Sequence, residues 1–467
     1  MKLMAGTAMG KDNKQRILFG AVTVFTLVFF YAFMYSDILI TTSFGVNFWD
    51  VLFSGDIFRF YEVCHSDVDT AAYHIFNTPD YDFLIYIIFA IWNLPLWIAR
   101  KAVHVNIWES ALAIAWAKTI ILVFTALTVR ALTNICKTLS VDEQGRKDAV
   151  LLFLTSSILF MSVFVTSQYD IIYLFFMLKA FDNYLKGDMR RFTAWMAVAV
   201  PVKSLAVFLF PALLLYKEKN VLRICLHTAA LFLPWLLLQF LFPMGDGNGG
   251  NLDNILVIFG QKLVFRKLEI PIFLLAIIVL YIACYALKAP QDEKKAGINS
   301  VRIAFLSYAL FFILCSTNPY WYILLLPFQC ILTVLNADRK YLNTILETIT
   351  SICYVGMYVW LIPWCFDVKL VRSTYVAKLF GLRENTTDNS LEILHTVLPS
   401  VYDMAESRAA AYLFMVFLAG NIVYVALNFM RCENIALRNT DTPKYLYAIR
   451  YAIGIGVCMF PMMAYIF

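Results

Sequence analysis

The stretch LLFLTSSILFMSVFVTSQYDIIYLFFMLKAF, Leu151 to Phe181, carries no charge before Asp170. Two apolar runs, Val150–Thr166 and Ile171–Tyr184, meet at Ser167, Gln168, Tyr169 and Asp170. Each run approaches the roughly 18 apolar residues that cross a bilayer as a helix. A carboxylate deep in hydrocarbon costs about 3 kcal/mol or more, so Asp170 is expected to face protein or water.

Outward from this junction the same character continues. The 467 residues are 61% hydrophobic and only 15% charged, with a mean hydropathy of +0.71. Ordinary soluble domains are far less apolar. Further apolar segments are Ile17–Tyr35, Phe83–Ala99, Ile107–Leu132, Phe192–Tyr216, Val221–Phe242, Pro271–Leu287, Ile303–Cys315, Tyr322–Leu335, Thr350–Phe366, Ala411–Met430 and Tyr447–Phe467. The fold class is therefore all-α and polytopic, with about 11–13 transmembrane helices. No internal repeat, low-complexity tract or soluble domain interrupts the chain, so residues 1–467 read as one membrane domain.

The first apolar segment follows Lys2, Lys11, Lys14 and Arg16. It is longer than a signal-peptide core and ends in aromatics, which predicts an uncleaved helix with residues 1–16 in the cytoplasm. Basic residues gather in short connections: Lys186–Arg191, Lys217–Lys219, Lys288–Lys295 and Ala337–Lys340. That is the positive-inside pattern. It accounts for the net charge of +6 without nucleic acid as a partner. The ten Cys form no C-x-x-C pair and mostly lie in apolar runs, which argues for buried thiols.

Two long connections fall outside by this count, residues 36–81 and 367–408, together with the shorter Pro243–Asn254. Two conflicts follow. Lys186–Arg191 and Lys217–Lys219 both belong in the cytoplasm, so Phe192–Tyr216 must turn back, as a short hairpin or a helix broken near Pro201. Three apolar segments separate the first loop from Ser167–Asp170, although both belong outside. One of Phe83–Val105 or Ile107–Leu132 is therefore misparsed. Irregular backbone at depth requires a protein-lined or wet surrounding, which points to a cavity near Pro201.

The first loop holds Asp37, Asp50, Asp56, Glu62, Asp67, Asp69, Asp80 and Asp82 among many aromatics. The spacing of Phe48, Val51, Leu52 and Phe58 predicts short amphipathic helices at the membrane interface. A carboxylate held there has the height to act as general base on a substrate with its lipid tail in the bilayer. The competing reading is a solvated acidic loop with aromatic anchors. His65, Asp67, Asp69 and His74 form a weaker alternative, a divalent-cation site for Mg or Mn. Otherwise no cofactor is expected.

Lys203 stands alone in the apolar AVAVPVKSLAVFLFPALLL, between Pro201 and Pro211. An ammonium there must snorkel, pair or face water. It pairs with Asp170 in one reading and meets a phosphate in the other. In STNPYWYILLLPF, Asn318, Tyr320 and Trp321 cap an apolar segment. An interface belt accounts for the aromatics. A carbohydrate surface uses the same parts.

Taken together, one helix, a long acidic external loop, SQYDIIYLFF, PVKSLAVFLFPALLL and TNPYWYILLLPF resemble the GT-C class of glycosyltransferases. The likeness is to bacterial members related to polyprenyl-phosphate-mannose-dependent mannosyltransferases. It covers most of the chain as order and spacing. The resemblance implies an inverting hexosyltransferase of a bacterial cytoplasmic membrane with its active site facing outside. It would move a mannose-like sugar from a polyprenyl-phosphate donor to a glycan or lipid-linked acceptor. It implies a first-loop acid as base, with Asp50 preferred and Asp56 second. It places Gln168, Tyr169, Asp170, Lys203, Asn318, Tyr320 and Trp321 around the donor phosphate and sugar. Where the family often shows Y-P-P-L, this chain has Tyr81, Asp82, Phe83 and Leu84. A lipid-linked oligosaccharide flippase or transporter, or an O-antigen-type polymerase or ligase, is the alternative.

Overall fold

The computed structural model describes residues 20, 22–28, 30–31, 36–66, 79, 81–104, 110–244, 262–265, 268–315, 317–361, 408–429 and 444–459. In chain order the α-helices are α1 Ser36–Ser54, α2 Phe60–Ser66, α3 Phe83–Val103, α4 Ala111–Thr138 and α5 Glu143–Leu154. A turn of helix at Ser157–Leu159 and a π-helical stretch at Phe160–Val165 continue α5 after a break. Next come α6 Asp170–Leu185, α7 Met189–Ala199, α8 Leu209–Lys217, α9 Val221–Leu241, α10 Ile272–Ala286, α11 Glu293–Leu314, α12 Leu326–Leu335, α13 Lys340–Leu361, α14 Ala409–Phe429 and α15 Lys444–Met459. Among the described residues the fold is all-α apart from one two-stranded antiparallel ribbon, β1 Lys262–Phe265 with β2 Leu268–Pro271, paired from Lys262↔Pro271 to Phe265↔Leu268.

Five of the described helices are long and apolar enough to cross a membrane, or up to seven if each bent pair is one span. The bends are 47° between Glu143–Leu154 and Ser157–Val165, and 104° between Pro319–Leu335 and Ala337–Met357. A multi-pass membrane protein follows from these lengths and compositions.

The segment Phe192–Tyr216 does turn back. Met189–Ala199 ends at Val200, the chain turns through Pro201–Lys203, and Ser204–Phe208 leads as a 3-10 turn into α8. Proline cannot donate the backbone bond that would continue α7. Asp188 starts α7 by accepting from the Arg191 backbone N–H at 2.9 Å, so the basic connections mark one end of the bundle.

Contacts show how α3 and α4 sit against their neighbours. Helix α4 runs alongside α6, with Phe124 edge-on to Phe175 and the Thr138 hydroxyl donating to Asp182 at 2.9 Å near the basic end. The start of α4 therefore lies beyond Asp170, at the opposite end. Asp82, which precedes α3, accepts from Gln239 near the end of α9 at 2.6 Å. Leu96, late in α3, clusters with Ala113 and Ala117 at the start of α4, and Trp92 stacks on Trp116 at 4.9 Å. Helix α3 has the length and apolar character of a span, and it packs beside α1.

The sequence led to short interface helices after the first span, but the structure has one helix of 19 residues, α1. Its first half, Asp37 to Asn47, is buried on every face, whereas Leu52, Phe53 and the following Phe58 are exposed. The amphipathic pattern reads only the second half. Gly45 sits where α1 crosses α3, and a Cβ there would come within 2.9 Å of the Phe89 backbone.

Candidate active site

Ser167 adopts φ 52°, the left-handed region that a β-substituted residue enters at a cost. This kink ends the π-helical stretch and starts α6 at Asp170, so Gln168, Tyr169 and Asp170 all turn into the protein. Thr166, Ser167, Gln168 and Asp170 are each at most 1% exposed. The Gln168 backbone N–H is satisfied by the Ser162 carbonyl at 2.8 Å. The Ser167 hydroxyl, the Gln168 amide and one Asp170 oxygen find no hydrogen bond of normal geometry among the described residues. Buried polar atoms left in this way are uncommon in folded proteins and mark places where a ligand or water completes the set.

Lys203 arrives from the turn after α7 and donates to Asp170 as an ion pair. The Asp170 side chain is 1% exposed and that of Lys203 11%. The ammonium also lies 4.5 Å from the centre of the Trp321 ring and 5.4 Å from that of Tyr169. Such cation–π contacts contribute about 0.5–2 kcal/mol each. Trp321 belongs to the 3-10 turn Pro319–Leu324, which is fixed by the Ser162 hydroxyl donating to the Tyr320 carbonyl at 2.9 Å. The Asn318 amide donates to the Tyr320 hydroxyl at 2.8 Å. All seven expected donor-side residues thus fall in or against one cluster: Gln168, Tyr169, Asp170, Lys203, Asn318, Tyr320 and Trp321.

The first-loop acid that joins them is Asp37, not Asp50 or Asp56. Asp37 stands at the start of α1, where Gln168, Tyr81, Lys203 and Asp170 all act on its carboxyl. Burial pushes that carboxyl up to about 6, and the neighbouring Gln168, Tyr81 and Lys203 pull the other way. Asp50 is 13 residues further along the same helix, about 20 Å at 1.5 Å per residue. It is held there by Arg100, by Lys101 at 2.9 Å and by the Trp97 indole N–H at 2.8 Å. Asp56 is exposed beside Arg59 at 3.7 Å. Neither reaches Lys203, because one continuous helix carries them away from the point where it starts.

Asp82 is a second acid that the sequence reading set aside. It accepts from the Trp235 indole at 3.2 Å and from Gln239 at 2.6 Å, and it borders a small void beside Pro201 with Tyr61 and Phe242. Burial pushes its carboxyl up to about 6, against these two hydrogen bonds. Tyr81 links the parts, edge-on to Tyr169 at 5.1 Å, with its backbone carbonyl accepting from the Tyr61 hydroxyl at 2.7 Å.

Asp67, Asp69, His74 and the side chain of His65 lie outside the described residues, as do residues 1–16 and most of 367–408. Among the described residues no three His, Cys, Asp or Glu side chains converge as metal ligands would.

Helix α6 is 16 residues long, about 24 Å. Asp170 therefore lies about 24 Å from the basic connection at Lys186–Arg191. The arrangement offers an acid–cation pair, a second carboxyl with a raised proton affinity, the Gln168 amide beside it and aromatic faces. Comparisons with family models, with curated proteins and with solved structures find no match.

Proposed function

We propose that this chain is a GT-C-type membrane glycosyltransferase that moves a hexose, mannose-like, from a polyprenyl-phosphate donor to a glycan or lipid-linked acceptor. In this reading it sits in a bacterial cytoplasmic membrane, faces outside, and inverts the anomeric centre. The observation that carries the proposal is the meeting of Asp37 with the Lys203–Asp170 pair under Trp321 and Tyr169.

The chemistry assigns each group a task. The acceptor oxygen forms its bond to the anomeric carbon as the bond to the carrier phosphate breaks. The acceptor proton passes to Asp37, whose raised affinity suits a general base working near neutral pH. Lys203 meets the negative charge that grows on the departing phosphate. Asp170 holds Lys203 in place. Gln168 and the faces of Trp321, Tyr169 and Tyr320 bind the sugar. A donor anchored in lipid suits so apolar a chain.

The test uses purified protein with radiolabelled polyprenyl-phosphate hexose and membrane extract as acceptor. Wild type is expected to transfer label. Asp37→Asn is expected to lose at least 100-fold, the usual weight of a general base. Asp50→Asn and Asp56→Asn are expected to keep most activity. No transfer from any carrier lipid by wild type would remove the enzyme reading and favour a flippase, which would move the same lipid without breaking it. Full activity in Asp37→Asn would return the base to Asp50 or Asp56. Chelation with EDTA in the same assay reports whether a divalent cation assists the phosphate.

A further inference from the structure

Helices α7 and α9 part at the basic end of the bundle and leave a cavity of about 560 Å³ between them. Its floor is made of small or short side chains, Ala194, Ala197, Val198, Ala230 and Pro234. On one wall the Thr193 hydroxyl and the His227 ring share a hydrogen bond of 2.7 Å, which satisfies both polar groups. What remains of the interior is apolar. Its mouth carries two guanidinium groups, Arg190 at the start of α7 and Arg223 at the start of α9.

The cavity opens onto a surface made for lipid. Leu231 is the one buried residue of α9, while Leu222, Leu226, Leu233, Leu236, Leu237 and Phe240 are exposed. A soluble molecule would have to leave water to enter here. A lipid tail is already beside it.

Of the two charges at the mouth, Arg190 is unpaired among the described residues and the exposed Arg223 is shared with Glu218. Lys186 is engaged by Asp182 at 2.6 Å, and Arg191 faces Asp188 at 3.4 Å. Lys217 and Lys219 donate to backbone carbonyls. Arg190 has no ion pair among the described residues, and Arg223 reaches Glu218 only at 3.6 Å. Two guanidinium groups over an apolar slot are complementary to a phosphodiester on an acyl chain, since guanidinium matches phosphate oxygens in pairs. Basic pockets between membrane helices near the positive end bind anionic headgroups by this means.

We infer that this groove holds one anionic glycerophospholipid, with its phosphate between Arg190 and Arg223 and an acyl chain lying along Ala194, Ala197 and Ala230. The site is separate from the donor cluster. Arg190 and Lys203 are 13 residues apart at opposite ends of α7 and its closing turn, about 20 Å. The inference stands whether or not the chain is a glycosyltransferase.

The test is native mass spectrometry and thermal unfolding of the full chain in neutral detergent. Phosphatidylglycerol and phosphatidylcholine with identical acyl chains are added in turn. Phosphatidylglycerol is expected to give a one-to-one adduct and to raise the melting temperature, and phosphatidylcholine to do neither. Arg190→Gln with Arg223→Gln is expected to weaken phosphatidylglycerol binding at least tenfold. Ala194→Leu with Ala230→Leu, two exposed positions that fill the slot, is expected to do the same with both arginines present. Equal binding of the two lipids would overturn the inference. So would full phosphatidylglycerol binding by either double variant. Polyprenyl phosphate displacing phosphatidylglycerol at equal concentration would overturn the assignment to a glycerophospholipid.

Discussion

Lys203→Met tests what the buried pair does. The change removes the ammonium and leaves Asp170, 1% exposed, facing apolar neighbours and the Trp321 ring. Stripping one partner from a buried pair costs about 3–5 kcal/mol. The loss of the ammonium's contact with Trp321, now 4.5 Å from the ring centre, adds about 0.5–2 kcal/mol. Asp170→Asn is the milder single change, because Lys203 keeps its aromatic faces and is 11% exposed. The double variant leaves two neutral groups, so its cost falls to that of one poorly satisfied buried amide, about 1–3 kcal/mol. Equilibrium unfolding in mixed micelles measures all three. The expected order is Lys203→Met as the most destabilised, with the second substitution restoring about 2 kcal/mol or more, a coupling that neighbours show and distant sites do not. Sugar transfer should stay lost in the double variant, because the phosphate has lost its cation. A double variant as unstable as the two singles summed would refute the pairing. A double variant that regains both stability and transfer would make the pair structural and refute the role of Lys203.

Three further outcomes follow from the geometry. Gln168→Leu is expected to cost little stability, since the amide makes no hydrogen bond of normal geometry, yet to reduce transfer and move its pH midpoint upward. That amide favours the charged form of Asp37. The transfer rate should rise with pH through about 6, the raised value for Asp37. Stability should run the other way, because the folded state holds the Asp37 proton that the unfolded chain releases near 3.9. Between about pH 4 and 6 Asp37 should cost stability as pH rises, by about 2–3 kcal/mol. Asp82, raised to about 6 as well, should add a similar loss, so Asp37→Asn should roughly halve that slope in a pH series of unfolding curves. Gly45→Leu places a side chain 2.9 Å or less from the Phe89 backbone. It should cost about 1–3 kcal/mol in thermal unfolding and lower transfer by shifting Asp37, whereas Gly456→Ala, in open space, should leave transfer unchanged.

Apolar runs, basic connections and prolines are local signals, and these were readable. They gave the multi-pass helical class, the reversal at Pro201 and the nearness of Asp170 to Lys203. The parity of crossings also exposed a misparsed segment between Phe83 and Leu132. Asp37 was hidden for a different reason. It follows the first apolar segment directly, where a carboxylate reads as an ordinary interface residue. Its burial is made by Tyr81 and Gln168, which come from distant parts of the chain. Asp50 looked better because it lies close to the first apolar helix and ahead of the stretch from Gly55 to Phe60 and Tyr61, but Arg100 and Lys101 at the far end of α3 claim it. The two-sided burial of α1 likewise depends on neighbours, and no periodicity within α1 announces it. Arg190 and Arg223 were masked by their own explanation, since positive-inside bias accounts for basic residues in such connections whether or not they bind anything.

The shortness of the two helices that meet at Lys203 has a consequence for the membrane itself. Helix α6 has 16 residues and α7 has 11, about 24 and 16 Å of helix against a hydrocarbon core of about 30 Å. Helix α6 is enclosed by its neighbours, so the wall that meets lipid here is the outer face of α7. A wall lower than the surrounding bilayer draws the headgroups down to meet it, because thinning costs only fractions of a kcal/mol per Å of mismatch. The lipid surface around this protein is then expected to dip toward the Asp170 side rather than lie flat. A lipid-borne phosphate drifting in the leaflet would follow that slope and arrive at the level of the ammonium with its water still around it.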